Sequence, residues 1–126
     1  MADSILNSIK QVVGVMPDDD AFDIDIMMHI NSVFSILQQI GVGPAEGYMI
    51  MDKAPTWEDY LGTGPTLNMV KSYMFVKVQL LFDPPATSFG LEAKNKLATE
   101  IEWRLQVAAE PAAQHMPPEK VVVVDD

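Results

Sequence analysis

Residues 67–85, LNMVKSYMFVKVQLLFDPP, constrain this chain more than any other stretch. Leu67, Val70, Met74, Val78 and Leu81 recur at steps of three and four, the spacing of one helical stripe. Met69, Tyr73, Val76 and Leu80 form a second stripe beside it, and Phe75 and Phe82 widen the apolar surface. Only Asn68, Lys71, Ser72, Lys77 and Gln79 interrupt it. A surface helix needs one apolar stripe, whereas a helix with nearly full apolar coverage must be buried on several sides. A chain of 126 residues has room for one domain and few flanking helices. The pattern therefore predicts apolar surface left over for self-association or for a larger partner.

The other elements follow from local signals. Ile5, Leu6, Ile9, Val12 and Val13 share one face of a short helix that Asp3 or Ser4 can cap and Gly14 can end. A second helix is expected from about Ala21 to Ile40, opened by Asp20 with Asp23 three residues on. Its inward set is Ile26, Ile30, Val33, Leu37 and Ile40, and Gly41 and Gly43 close it. Residues 48–51 are expected to be extended. Thr56 and Asp59 form a capping signature for a single turn, Trp57–Leu61, stopped by Gly62. Pro65 suits the first turn of the long apolar helix, and Asp83-Pro84-Pro85 ends it. Ser88 is expected to cap a last helix to about Ala109, with Leu91, Leu97, Ile101, Leu105 and Ala108 as its stripe and Trp103 beside it. Glu100 and Arg104 form an i,i+4 pair on that helix. The reading is all-α: a small antiparallel bundle of three main helices plus a short N-terminal one over residues 1–110, then an extended C-terminal tail over 111–126.

Several kinds of chemistry find no support. With no cysteine there is no disulfide, thiol nucleophile or Cys-ligated zinc, which fits a reducing compartment. The acids at 18–20, 23 and 25 lack the ligand spacing of a calcium loop and suit a helix start better. His29 with Asp25 reads as a solvated helix pair, and His115 lies far away in the tail. No phosphate loop, Rossmann fingerprint or nucleophile elbow occurs, so neither catalysis nor a cofactor is expected. The first residues, MADSILNSIK, show no secretory signal, and the 67–82 run carries two lysines and would span only about 24 Å as a helix, so no membrane span is expected.

The net charge is −10, and it is uneven. Residues 1–62 hold ten acids against Lys10 and Lys53. Such a surface disfavours binding to nucleic acid; it gives solubility, or a wall that repels DNA. Met27, Met28, Met49, Met51, Met69 and Met74 are expected to fill gaps in the core, with an adaptable binding surface as the alternative. Trp57 and Trp103 are expected core anchors, one of them a possible interface anchor. Val121, Val122, Val123 and Val124 form a β-branched run behind Pro117 and Pro118. It reads either as a frayed end or as a strand that adds to another protein's sheet edge.

Taken in order, the segments AFDIDIMMHINSVFSILQQIGVGP, TWEDYLG, NMVKSYMFVKVQLLFDPP and SFGLEAKNKLATEIEWRL resemble the head–tail connector (adaptor) proteins of tailed bacteriophages. The resemblance covers about residues 1–105 and rests on packing and turn signatures. It implies a structural, non-enzymatic virion protein, made in the bacterial host cytoplasm. It implies a homo-oligomeric ring, usually dodecameric, beneath the portal vertex. Such a ring extends the DNA channel and carries the tail or stopper protein, and genomic DNA passes through it without specific binding. By position, Pro117, Pro118 and Val121–Val124 would form a portal-binding tail. Tyr73, Phe75 and Trp103 are the candidates for the subunit interface, and Asp18, Asp19, Asp20, Glu58 and Asp59 for an acidic lumen. A small helical regulator that binds a partner protein is the alternative from another class.

Overall fold

The computed structural model describes residues 4–109. The expected tail, with Val121–Val124 and His115, lies outside them. Five helices follow in order: α1 Ile5–Val12, α2 Asp23–Gln39, α3 Trp57–Leu61, α4 Pro65–Phe82 and α5 Ser88–Ala109. The fold is the expected all-α bundle.

α4 is the hub. It packs against α5, α2, α1 and α3. Its near-continuous apolar surface is thus covered mainly within the chain: Leu67, Val70, Tyr73, Met74, Val76 and Val78 are buried, and Leu81 is exposed. The sequence argument expected the surplus apolar surface here. α5 and α2 cover most of α4, and the short elements α1 and α3 cover further parts of it.

Local chemistry explains most element ends. Ser4 caps α1, its hydroxyl accepting the Asn7 amide at 3.2 Å. Thr56 and Asp59 form the full capping box of α3, with each side chain accepting the other's backbone N–H. α2 ends in a Schellman motif: Val42 N–H reaches the Leu37 carbonyl and Gly41 N–H the Gln38 carbonyl, with Gly41 at φ 94°. Gly43 stands at φ 88°, and a Cβ there would come within 2.7 Å of the Tyr60 hydroxyl. Both the backbone and the space demand glycine there.

Two starts differ from expectation. α2 begins at Asp23 rather than Ala21, behind Phe22, and no side chain caps it. Asp23 is committed elsewhere: its carboxylate lies 2.8 Å from the buried ammonium of Lys10. Lys10 also donates to the Pro17 carbonyl at 3.1 Å, tying α1 to the turn that leads into α2. α5 is capped by Thr87 rather than Ser88, the Thr87 hydroxyl accepting the Gly90 amide at 3.0 Å.

The 48–51 segment is not a strand, yet it is held as one. Asn31 on α2 accepts the Ile50 N–H at 2.8 Å and donates to the Ile50 carbonyl at 3.0 Å. This seats the Ile50 side chain in the core. Asn31→Leu leaves both backbone groups of Ile50 without these partners. The expected loss is about 1–3 kcal/mol, read as a lower urea midpoint at unchanged m-value.

Candidate functional site

With α4 covered apart from Leu81, most of the exposed apolar surface lies on other elements. On α5, Phe89 is 82% exposed, Leu97 44% and Trp103 52%. Phe89, Ala93 and Leu97 follow one another at i, i+4 and i+8, so they line one strip. The buried face of α5 is Ala98, Ile101 and Leu105. The expected stripe was therefore right at Ile101 and Leu105 but turned at Leu97, which faces outward, and at Leu91 and Ala108, which are also exposed. α5 is a wall of the bundle packed chiefly on α4.

A second exposed strip lies at the start of α2. Ile24 is 72% exposed and Met28, one turn on, 62%. Phe22 beside them packs edge-to-face on Phe82, the two ring centroids 5.7 Å apart. His29 stands edge-on to the same Phe82 at 6.4 Å. Met49 and Met51 are exposed as well. Of the six methionines expected in the core, Met74 is fully buried, Met27 and Met69 are half-buried, and Met28, Met49 and Met51 are outside.

The three interface candidates separate. Trp103 is on the surface of α5. Phe75 is half-buried, edge-on to Trp57 at 6.1 Å. Tyr73 is instead a core residue, fully buried, its hydroxyl donating to Glu102 at 3.0 Å. It offers no surface to a neighbour. Trp57 is likewise a core anchor, its indole N–H donating to the Ser8 hydroxyl at 2.8 Å.

The lumen candidates also separate. Asp18, Asp19 and Asp20 are exposed in the turn before α2. Asp18 and Asp20 line one cleft with Asp23, Asp52 and Lys53. Asp52, which sequence reasoning left out, thus joins the first cluster through the fold of the 48–55 segment. Glu58 and Asp59 are exposed on α3, and Asp59 is engaged in its capping box. Among the described residues, no three acidic or histidine side chains converge on a point that could hold a metal ion.

Burial perturbs the tyrosines. Tyr60, packed against Phe34 and Tyr48, is pushed up to about 12 by loss of solvent. Tyr73 is raised by burial and further by the Glu102 carboxylate. Tyr48 is raised by burial and by Asp59. An unfolded tyrosine ionises near 10.0, before folded Tyr60 does near 12. The contribution of neutral Tyr60 is thus complete below pH 10 and is lost as pH rises through about 12. The bundle should lose stability in that window, and Tyr60→Phe should flatten the loss in a pH series of thermal melts.

A family model described as phage connector protein matches residues 5–112. The chain belongs to the phage connector protein family. No curated protein and no solved structure matches it. The matched span takes in all five helices. The connector's role is structural. No helix among its described residues is long and apolar enough to cross a membrane. Sequence reasoning missed the exposed strips of this connector at Ile24/Met28 and Phe89/Leu97. In α5 the buried residues Ala98, Ile101 and Leu105 follow at steps of three and four, a spacing that leaves Phe89 and Leu97 off the inward face.

Proposed function

We propose that this connector assembles as a closed homo-oligomeric ring beneath the portal vertex of a phage virion. The ring extends the DNA channel and joins the capsid to the tail or stopper protein. The observation that carries this reading is the exposed apolar strip of α5, a row of large side chains that the bundle itself leaves uncovered. A cyclic arrangement covers such a strip in every copy and leaves no free edge. Twelve copies is the number the family resemblance implies. Catalysis has no part in this reading.

The acidic first half serves the channel. Asp18, Asp19, Asp20 and Asp52, with Glu58 and Asp59 on α3, carry the charge that would face DNA. Carboxylates repel phosphate, so DNA slides past a wall of them without sticking. The segment 111–126 then reaches from the end of α5 to the portal, with Val121–Val124 pairing in extended form along an exposed strand edge of the portal protein. Its length suffices, since ten residues extend up to about 33–36 Å.

Deletion of residues 111–126 tests the portal reading. The truncated protein should keep the helical signal and melting temperature of the full chain. Its affinity for purified portal protein should fall by at least about tenfold, about 1.4 kcal/mol. Unchanged affinity would remove the tail from the portal contact.

A further inference from the structure

A ring built head-to-tail needs two different patches on each subunit. The connector has two, on helices that both pack on α4: Ile24 and Met28 on α2, and Phe89, Ala93 and Leu97 on α5. Each is a short apolar row at helical spacing. Scattered single exposed apolar residues are ordinary, but rows of large ones mark contact surfaces.

Charge decides how the rows pair. α2 holds Asp23 and Asp25 and has no lysine or arginine, and the exposed Asp18–Asp20 turn lies just before it. Lys94 and Lys96 flank the α5 row against Glu92, and Glu100 farther along is ion-paired with Arg104, so the row's surroundings carry a small positive excess. Over the described chain, residues 4–62 carry nine acids and two lysines, while residues 63–109 carry four acids and five bases. Two α2 rows brought face to face would set carboxylates against carboxylates. An α2 row laid on an α5 row sets the acidic half of one copy against the basic-leaning half of the next. Opposed like charges are disfavoured at a contact, and complementary ones fix its register.

We infer that the α2 row Ile24/Met28 of one connector docks on the α5 row Phe89/Ala93/Leu97 of the next copy, with Asp25 across from Lys96. This rests on the ring reading above and names the two surfaces that close it. The occupant of the α5 row is therefore a second copy of this chain. The chain's own segment 111–126 and the portal protein are the competing occupants.

The absence of cysteine in the chain makes the contact directly testable. Four single variants of the full chain, Ile24→Cys, Met28→Cys, Phe89→Cys and Leu97→Cys, place thiols at exposed positions. The α2 and α5 variants carry different tags. Each is oxidised alone and in α2–α5 mixtures, with portal protein present, after native mass spectrometry has established oligomers. The expected result is disulfide-linked dimers in at least one mixture, joining the two tags, and none in any variant alone. The corresponding double variant should give a ladder of covalent multimers. Oligomers without a cross-link in any of the four mixtures overturn the interface and leave the ring standing. Dimers of one variant with itself indicate a symmetric contact and also overturn it. So does an efficient link within one chain in Leu97→Cys/Val122→Cys, which would give the α5 row to the tail. A link from Leu97→Cys to a portal cysteine would give it to the portal. Absence of any oligomer with portal present overturns both the interface and the ring.

Discussion

Trp57→Ala should cost about 3–5 kcal/mol of folding stability, a large share of the roughly 5–15 kcal/mol that a domain of this kind has in total. Trp57 is fully buried at the start of α3. Its ring meets Phe75, and its indole N–H donates to Ser8 on α1 at 2.8 Å. Lys71 of α4 sits over the same ring at 6.0 Å. One side chain thus joins α1, α3 and α4, and its removal leaves a void where three elements meet. Trp57→Phe keeps most of the packing and gives up the bond to Ser8, so it should lose clearly less. Urea unfolding followed by circular dichroism measures both variants without relying on tryptophan emission. A loss of under about 1 kcal/mol for Trp57→Ala would mean that α3 is not part of the cooperative core.

A second change should leave the fold intact and remove assembly. Phe89→Asp combined with Leu97→Asp places two carboxylates on the exposed row of α5. Both positions face outward, so the folded subunit should change stability by no more than about 0.5 kcal/mol per site. A carboxylate buried unpaired in an interface costs about 3–5 kcal/mol, which corresponds to a loss of association of more than about a hundredfold. The variant should have the melting temperature of the parent and remain monomeric on the portal, as read by native mass spectrometry. Phe75→Asp is a poorer probe of assembly, because Phe75 is packed on Trp57 and its replacement disturbs the fold as well.

What the sequence made legible is what its neighbours in the chain decide. The Thr56–Asp59 box, the glycine-closed end of α2 and the proline-bounded limits of α4 involve residues a few positions apart. They stand where local chemistry places them. The start of α2 was not legible, because the residue that decides it lies on another helix. Lys10 reaches across from α1 to take Asp23, a carboxylate that local spacing assigned to capping. Lys10 itself sits on the inward face of α1 with Leu6 and Ile9, a position where hydrophobic periodicity alone predicts no lysine.

The misplaced surface on α4 and α5 has one physical origin. Hydropathy counts apolar residues but not how many elements meet them. α4 carries large residues on most of its circumference and is surrounded, while α5 carries fewer and has one principal neighbour. The inward face of α5 is Ala98, Ile101 and Leu105, a line in which one member is only an alanine, and it leaves Leu97 and Phe89 outside. The exposed apolar row of α5 was thus hidden behind a weaker pattern. The acidic cluster was half visible: Asp18–Asp20 are adjacent in sequence, but Asp52 joins them only through the Asn31-held segment.

The central claim is that this chain is a ring-forming connector beneath a portal. A cryo-EM reconstruction of the full chain bound to purified portal protein tests it most directly. The account predicts a closed ring of five-helix bundles coaxial with the portal, the α5 row of each copy covered by its neighbour and the acidic turn before α2 directed to the channel. Separate bundles attached around the portal with α5 open to solvent would contradict it.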